Sequence, residues 1–143
     1  GLFATPGVAE AGGAFATEVL GAVSNTVWFD DEAKIDAVTA ISGSGPAYVF
    51  YFIEALEEAA RQLGMDAAQG RALAVATFTG AAQLAAQSDD SPAVLRERVT
   101  SKGGTTAAAL ASFDASGVKD AIVRGALAAD ARARAMGDEF GKQ

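Results

Sequence analysis

The sequence contains neither cysteine nor histidine. The absence of cysteine excludes disulfides and thiolate chemistry, and the absence of histidine removes the commonest metal ligand and proton shuttle. Hydroxyls, carboxylates, lysine and backbone groups remain as the chemical groups of any site. The acidic groups at residues 30–32 and 89–90 lack the alternating spacing of a calcium loop, so we expect no metal site.

Positive charge is also scarce, because 11 Lys and Arg stand against 18 Asp and Glu, for a net charge of −7. Nucleic acids and anionic membranes are bound mainly through excess Lys and Arg, so we expect neither partner. Glu54 and Gln83 interrupt the apolar runs that a membrane span would need. The chain opens on Gly1 with no signal-peptide pattern, so we expect a fragment or processed piece of a cytoplasmic protein.

Small apolar residues are what the sequence has in abundance. Half of the residues are hydrophobic, yet only 8% are aromatic, and alanine supplies much of the difference. Small side chains let helices approach closely, and alanine has the highest helix propensity. This composition therefore predicts a mainly α-helical fold.

The first 30 residues read as a strand, a helix and a second strand. Residues 1–4 are short and apolar, Thr5 and Pro6 suit the start of a helix from about Val8 to Ala22, and residues 26–29 are β-branched or aromatic. Two short strands and one helix cannot bury their own apolar faces. We therefore expect the end of a larger sheet, with a domain boundary near residue 30.

Every long segment after that boundary has helical spacing, which predicts an all-helical domain over residues 31–143. The predicted helices span residues 32–40, 46–63, 66–87, 92–98, 106–113 and 118–140. Asp66 and Gln69 match a capping box, and Ser91 suits an N-cap. Residues 48–53 are apolar on all sides, so we predict that they are buried all round. The last helix carries a heptad-like seam for packing on another helix of this chain or of a second copy.

Residues 41–45 contain the pattern Gly43-Ser44-Gly45 and precede a helix, which imitates a dinucleotide-binding turn. Such a turn needs a third small residue three places after the second glycine, and Tyr48 occupies that place. We therefore predict a structural break between two helices, whose glycines let helices cross or chains meet.

The segment from Val99 to Thr106 gathers hydroxyls, two glycines and a lysine between two helices. Its glycines leave the backbone accessible, either threonine can cap the following helix, and the first turn of that helix attracts anions. Arg96, Arg98 and Lys102 concentrate positive charge beside it. The segment suits a carboxylate or phosphate site, and it also suits a plain helix-to-helix connection.

Residues 36–50 and 99–106 together closely resemble the C-terminal half of Δ1-pyrroline-5-carboxylate reductase. The resemblance rests on two separate motifs, on Ala128, Ala129 and Arg132 of the last helix, and on residues 1–29, which are similar to the closing strand-helix-strand of the family's nucleotide-binding domain. It implies a mainly α fold, with the end of a Rossmann-type domain in residues 1–30 and a helical dimerisation and substrate-loop domain in residues 31–143.

The resemblance also implies a function: reduction of 1-pyrroline-5-carboxylate to L-proline with NADPH or NADH, in proline biosynthesis. The family forms an interlocked homodimer, often assembled further into a ring of dimers. Its substrate loop holds the carboxylate, which here implies substrate binding by Ser101, Gly103, Gly104, Thr105 and Thr106. Thr106 is the implied catalytic residue at the ring nitrogen.

The roles of Asp89 and Lys102 follow less directly from the resemblance. Asp89 falls near an acidic family position that borders the site, and Lys102 stands where many members have proline. No complete glycine-rich nucleotide loop occurs in the sequence. We therefore expect the chain alone to lack reductase activity. The alternative is a helical dimerisation and interaction module without a ligand.

Overall fold

The computed structural model describes residues 1–5, 7–8 and 10–140. The chain divides into two compact units. One unit contains Gly1–Gly45 together with the last helix from Gly125 onward, and the other contains Pro46–Arg124. The domain boundary expected near residue 30 stays a prediction.

The first unit opens with a small parallel sheet. Strand β1 (Leu2–Phe3) is followed by helix α1 (Glu10–Gly21) and strand β2 (Trp28–Phe29), with Leu2 opposite Trp28 and Phe3 opposite Phe29. The Trp28 indole donates a hydrogen bond to the Thr17 hydroxyl at 2.9 Å, which ties α1 to β2. The predicted strand-helix-strand order is confirmed. The predicted place of Pro6 in the first helical turn lies outside the described residues.

The predicted break at residues 41–45 is wrong. Helix α2 (Lys34–Val38) continues into a π-helical turn at Thr39–Gly43, and α3 (Gly45–Gln62) begins directly after it. The Ser44 N–H donates to the Thr39 carbonyl at 2.8 Å, which is the five-residue step of a π-turn. Neither Gly43 nor Gly45 has a positive φ. The glycines are therefore accommodated within helical backbone and do not form a turn.

Helices α3 and α4 (Ala67–Gln87) of the second unit approach each other closely where Ala60 meets Gly70. Gly64, with a φ of 89°, ends the first of them, and Asp66 and Gln69 form the predicted capping box of the second. A Cβ on Gly70 would lie 3.0 Å from the Cβ of Ala60. Small residues at this crossing therefore allow the two helices to approach closely.

A wide groove follows the same helix pair, with a volume of about 710 Å³. Its apolar lining includes Val49, Phe50 and Ile53 of α3 and Val75, Phe78 and Ala82 of α4. The prediction that residues 48–53 are buried all round is wrong for the single chain, since Phe50 is 62% exposed and Tyr51 73%. The apolar surface was read correctly from the sequence, but it is exposed among the residues that the structure describes.

Three further helices complete the chain: α5 (Pro92–Arg98), α6 (Thr105–Ala115) and α7 (Val118–Phe140). Ser91 caps α5 as predicted, and Gly117 makes the turn before α7 with a φ of 63°. Among the residues that the structure describes, no helix combines the length and apolarity that a bilayer crossing requires.

Candidate functional site

The predicted substrate loop lies between α5 and α6, and we call residues 99–104 the α5–α6 loop. Two hydrogen bonds fold its start back onto α5: the Thr100 N–H donates to the Glu97 carbonyl at 3.0 Å, and the Thr100 hydroxyl donates to the Arg96 carbonyl at 2.6 Å. The path of the backbone entering Ser101 is therefore set by the last turn of α5.

Gly103 and Gly104 are needed for different physical reasons. The φ of Gly103 is 72°, in the left-handed region that favours glycine. Gly104 has extended backbone, but a Cβ there would overlap the Ser101 hydroxyl and lie 3.2 Å from the Ser101 carbonyl oxygen. The Gly104 N–H donates to that same carbonyl at 3.0 Å. The two glycines thus close a tight turn on Ser101.

The beginning of α6 corrects one prediction. Neither threonine caps the helix, because Gly104 is the N-cap and makes no side-chain hydrogen bond, while Thr105 is already the first helical residue. The N–H groups of residues 105–107 have no acceptor within the helix, and they carry its partial positive charge. The Thr105 and Thr106 hydroxyls thus take no part in capping α6, and Thr106 is half-buried while Thr105 is exposed.

The basic cluster divides into one paired and two unpaired cations. The Arg98 guanidinium forms an ion pair with the Asp90 carboxylate. Arg96 and Lys102 have no ion-pair partner within the part of the chain that the structure describes. Positive charge beside the α5–α6 loop is therefore available to an anion, despite the net negative charge of the chain.

Asp89 lies at the other end of α5 from the predicted loop residues. It is exposed, and among the described residues it has no hydrogen bond to the α5–α6 loop. Ser101, Gly103, Gly104, Thr105 and Thr106 are instead brought together by one turn and one helix start. The structure thus groups the loop residues. Asp89 lies apart from them, and its neighbour Asp90 pairs with Arg98 at the end of α5 that leads into the loop.

Sequence reasoning missed the partnership of Asp90 and Arg98. The two residues are eight positions apart, one just before the N-cap of α5 and the other at its last residue. An acid before a helix and a base in its last turn suit the helix dipole at both ends, and this was the available signal. Contact between them depends on the Arg98 side chain reaching back along α5 to Asp90, which the sequence pattern alone leaves open.

The two glycines give a prediction that separates their roles. We expect Gly103→Ala to lower the free energy of unfolding by about 1 kcal/mol, because alanine is strained at positive φ. Gly104→Ala should instead move Ser101, so amide chemical shifts should change mainly in the α5–α6 loop. As a control, Gly137→Ala in α7 adds a Cβ in open space and should stabilise by about 0.5 kcal/mol. A Gly103→Ala variant whose free energy of unfolding in urea equals that of wild type would contradict the role given to Gly103.

Comparisons with known proteins agree with this picture. A family model described as "Pyrroline-5-carboxylate reductase dimerisation" matches residues 32–136. The chain is 43% identical over 142 residues to the pyrroline-5-carboxylate reductase of Pseudomonas aeruginosa, covering 99% of this chain and 52% of that protein. It is 43% identical over 137 residues to the Haemophilus influenzae enzyme of the same name, covering 95% and 51%.

Solved structures give the same result. A pyrroline-5-carboxylate reductase from Coxiella burnetii superposes with a TM-score of 0.88 at 36% identity, covering 92% of this chain and 49% of that one. The Plasmodium falciparum pyrroline carboxylate reductase, solved with NADP bound, gives 0.85 at 28% identity, covering 93% and 53%. The chain spans about half the length of the relatives it matches. Since the family model covers most of its residues, the chain belongs to the pyrroline-5-carboxylate reductase dimerisation family.

Proposed function

We propose that this chain is the dimerisation and substrate-loop half of a reductase that converts 1-pyrroline-5-carboxylate to L-proline with NADPH or NADH. One observation carries the proposal: the α5–α6 loop ends in a glycine-capped helix start with free hydroxyls, within a chain of this family. A carboxylate is the group that such a helix start suits, and the substrate carries one.

The substrate carboxylate lies, in this proposal, over the turn at Ser101 to Gly104. The Ser101 and Thr105 hydroxyls and the N–H groups of the first α6 turn donate hydrogen bonds to it, and Gly103 and Gly104 leave room for its approach. Lys102 adds charge attraction. Asp89, at the other end of α5, is proposed to border the site.

Thr106 is the proposed catalytic residue. Its half-buried hydroxyl belongs to the second residue of α6 and is not used as a helix cap. As hydride adds to the imine carbon, the ring nitrogen becomes basic and needs a proton. A threonine hydroxyl can donate a hydrogen bond to that nitrogen and relay a proton to it from water without being a strong acid.

The glycine pair at residues 43 and 45 does not fit the nicotinamide cofactor. Gly43, the last residue of the π-helical turn, and Gly45, the first residue of α3, both lie in helical backbone. A strand-turn-helix with accessible N–H groups is what a dinucleotide pyrophosphate needs. We therefore propose that NADPH or NADH, which would supply the hydride, is bound mainly by a polypeptide region outside these 143 residues.

Residues 1–30 are proposed to be the end of that nucleotide-binding domain, with residues 31–143 as the helical domain. The parallel pairing of β1 and β2 across α1 is the connection found in Rossmann-type sheets, and the family match begins at residue 32. We also propose that the protein is cytoplasmic.

A homodimer, with assembly into a ring of dimers, is the proposed oligomeric state. Among the described residues, the buried hydrophobic side chains are those of Ala40, Ala60 and Ala74, and no large side chain is fully buried. The groove between α3 and α4 is open and lined by apolar side chains, among them Phe50, which is 62% exposed. We propose that a second copy of the chain covers this groove.

A chimera tests the function. The N-terminal half of the Pseudomonas aeruginosa reductase supplies the half of that relative that this chain does not cover, and it can be joined to this chain. We expect the chimera to oxidise NADPH in the presence of 1-pyrroline-5-carboxylate, and the chain alone to show no turnover. Turnover by the chain alone would contradict the proposed division of roles. A chimera that dimerises without turnover would favour the non-catalytic dimerisation module.

A further inference from the structure

We propose that Arg98 and Asp90 form a positioning pair that fixes the shape of the α5–α6 loop for carboxylate binding. The inference rests on the proposed function for the identity of the ligand, and on the structure for the pair itself. Arg98 Nη1 donates to Asp90 Oδ2 across the whole of α5. Neither residue belongs to the substrate loop as the sequence predicts it.

Besides its ion pair with Arg98, Asp90 is hydrogen-bonded to Ser88. The Ser88 hydroxyl donates to Asp90 Oδ2 at 3.2 Å, and the Asp90 N–H donates back to the Ser88 hydroxyl at 3.1 Å. The Asp90 side chain is 33% exposed, whereas that of Arg98 is 63% exposed. The acid is therefore the fixed member of the pair, and the long arginine side chain reaches back to it.

The need for such a pair follows from the length of α5. With seven residues it is shorter than helices that are stable on their own in water. Ser91 caps its beginning, but its end leads directly into the α5–α6 loop. The ion pair joins the segment before the N-cap to the last helical residue, so fraying of the last turn requires breaking it.

The ion pair also restrains the α5–α6 loop, because only a few residues separate Arg98 from the turn at Ser101. Ser101 is three residues after Arg98, and between them Thr100 is bonded to the carbonyls of Arg96 and Glu97. Gly104 then bonds back to Ser101. A last turn of α5 that frays would release Thr100, and the turn on Ser101 would lose its fixed starting point.

The paired state of Arg98 distinguishes positioning from direct binding. Its charge is already neutralised by Asp90, whereas Arg96 and Lys102 have no ion-pair partner within the described part of the chain. If Arg98 bound the substrate directly, Asp90→Asn would free it and tighten binding. If Arg98 acts through the loop, Asp90→Asn and Arg98→Ala should weaken binding alike.

The first experiment measures amide hydrogen exchange on this chain. We expect Arg98→Ala and Asp90→Asn each to raise exchange about three- to five-fold at the hydrogen-bonded Thr100 and Gly104 amides of the loop, the range for an ion pair of this exposure. The double variant should add little to either single one, because both remove the same interaction. Arg61→Ala is the matched control, since it removes the Arg61–Glu58 pair of α3, at 2.7 Å with Arg61 68% exposed. Unchanged loop exchange in both single variants would overturn the proposal.

The second experiment measures steady-state kinetics in the chimeric reductase. The KM for 1-pyrroline-5-carboxylate should rise about three- to five-fold in both variants while kcat changes less than about two-fold. Arg98→Lys keeps the charge and should recover part of the loss. A lower KM for Asp90→Asn would overturn the proposal in favour of direct binding by Arg98. Faster loop exchange in a chimera without turnover would support the pair and count against the proposed function alone.

Discussion

Thr106→Val should reduce kcat of the chimeric reductase for 1-pyrroline-5-carboxylate about 100-fold. The substitution keeps the side-chain shape and removes only the hydroxyl that is proposed to act at the ring nitrogen. Removal of a positioned proton donor costs about 100-fold or more in rate. The hydroxyl does not cap α6, so the stability of the helix should change little. Steady-state kinetics measures the loss of turnover, and urea unfolding measures any change in stability.

Two variants control this result. Thr106→Ser keeps the hydroxyl and should recover most of the turnover. Thr77→Val removes a hydroxyl that donates to the Leu73 carbonyl at 2.8 Å inside α4, away from the α5–α6 loop, and should leave kcat unchanged. Wild-type kinetics for Thr106→Val would remove Thr106 from the mechanism. A loss shared equally by Thr77→Val would assign the effect to folding.

Phe50→Asp should convert the proposed dimer to monomers at micromolar concentration. In the single chain the side chain is 62% exposed, so a charge there would be hydrated and would cost the monomer little. In the dimer the same position would be covered, and the carboxylate would be buried without a partner. Losing a buried aromatic side chain makes the free energy of dimerisation less favourable by about 2 kcal/mol on each side of a two-fold interface. We therefore expect dimerisation to weaken by at least about 100-fold, on the basis that 1.4 kcal/mol is tenfold.

Sedimentation equilibrium and thermal melts at several protein concentrations measure this effect. Wild type should melt at a temperature that rises with concentration, since only the dimer completes its core. Leu63→Asp is the matched control, because Leu63 is also exposed and apolar but does not line the groove. An intact Phe50→Asp dimer would show that the groove is not the interface. A stable wild-type monomer with a concentration-independent melt would contradict coupling of folding to assembly.

Local signals gave most of the helix boundaries. The predicted capping box at Asp66 and Gln69 and the predicted Ser91 cap are both present, because each depends on a few neighbouring residues. Where two local rules competed, the prediction failed. Gly43 to Gly45 suggested a break, but the backbone closes a π-turn there. The threonines suggested caps, but Gly104 takes that place.

The sequence by itself determined the helical class, the strand-helix-strand opening and the family, because composition, periodicity and short motifs encode these features locally. Only the tertiary structure decided that Gly104 is needed for its approach to Ser101, that Asp90 pairs with Arg98 across α5, and that the apolar face of α3 is exposed. Each of these depends on the three-dimensional path of the backbone and on the reach of side chains, which residue identities alone do not give. Whether Phe50 is covered further depends on where a second copy of the chain binds, and the sequence pattern does not give that position.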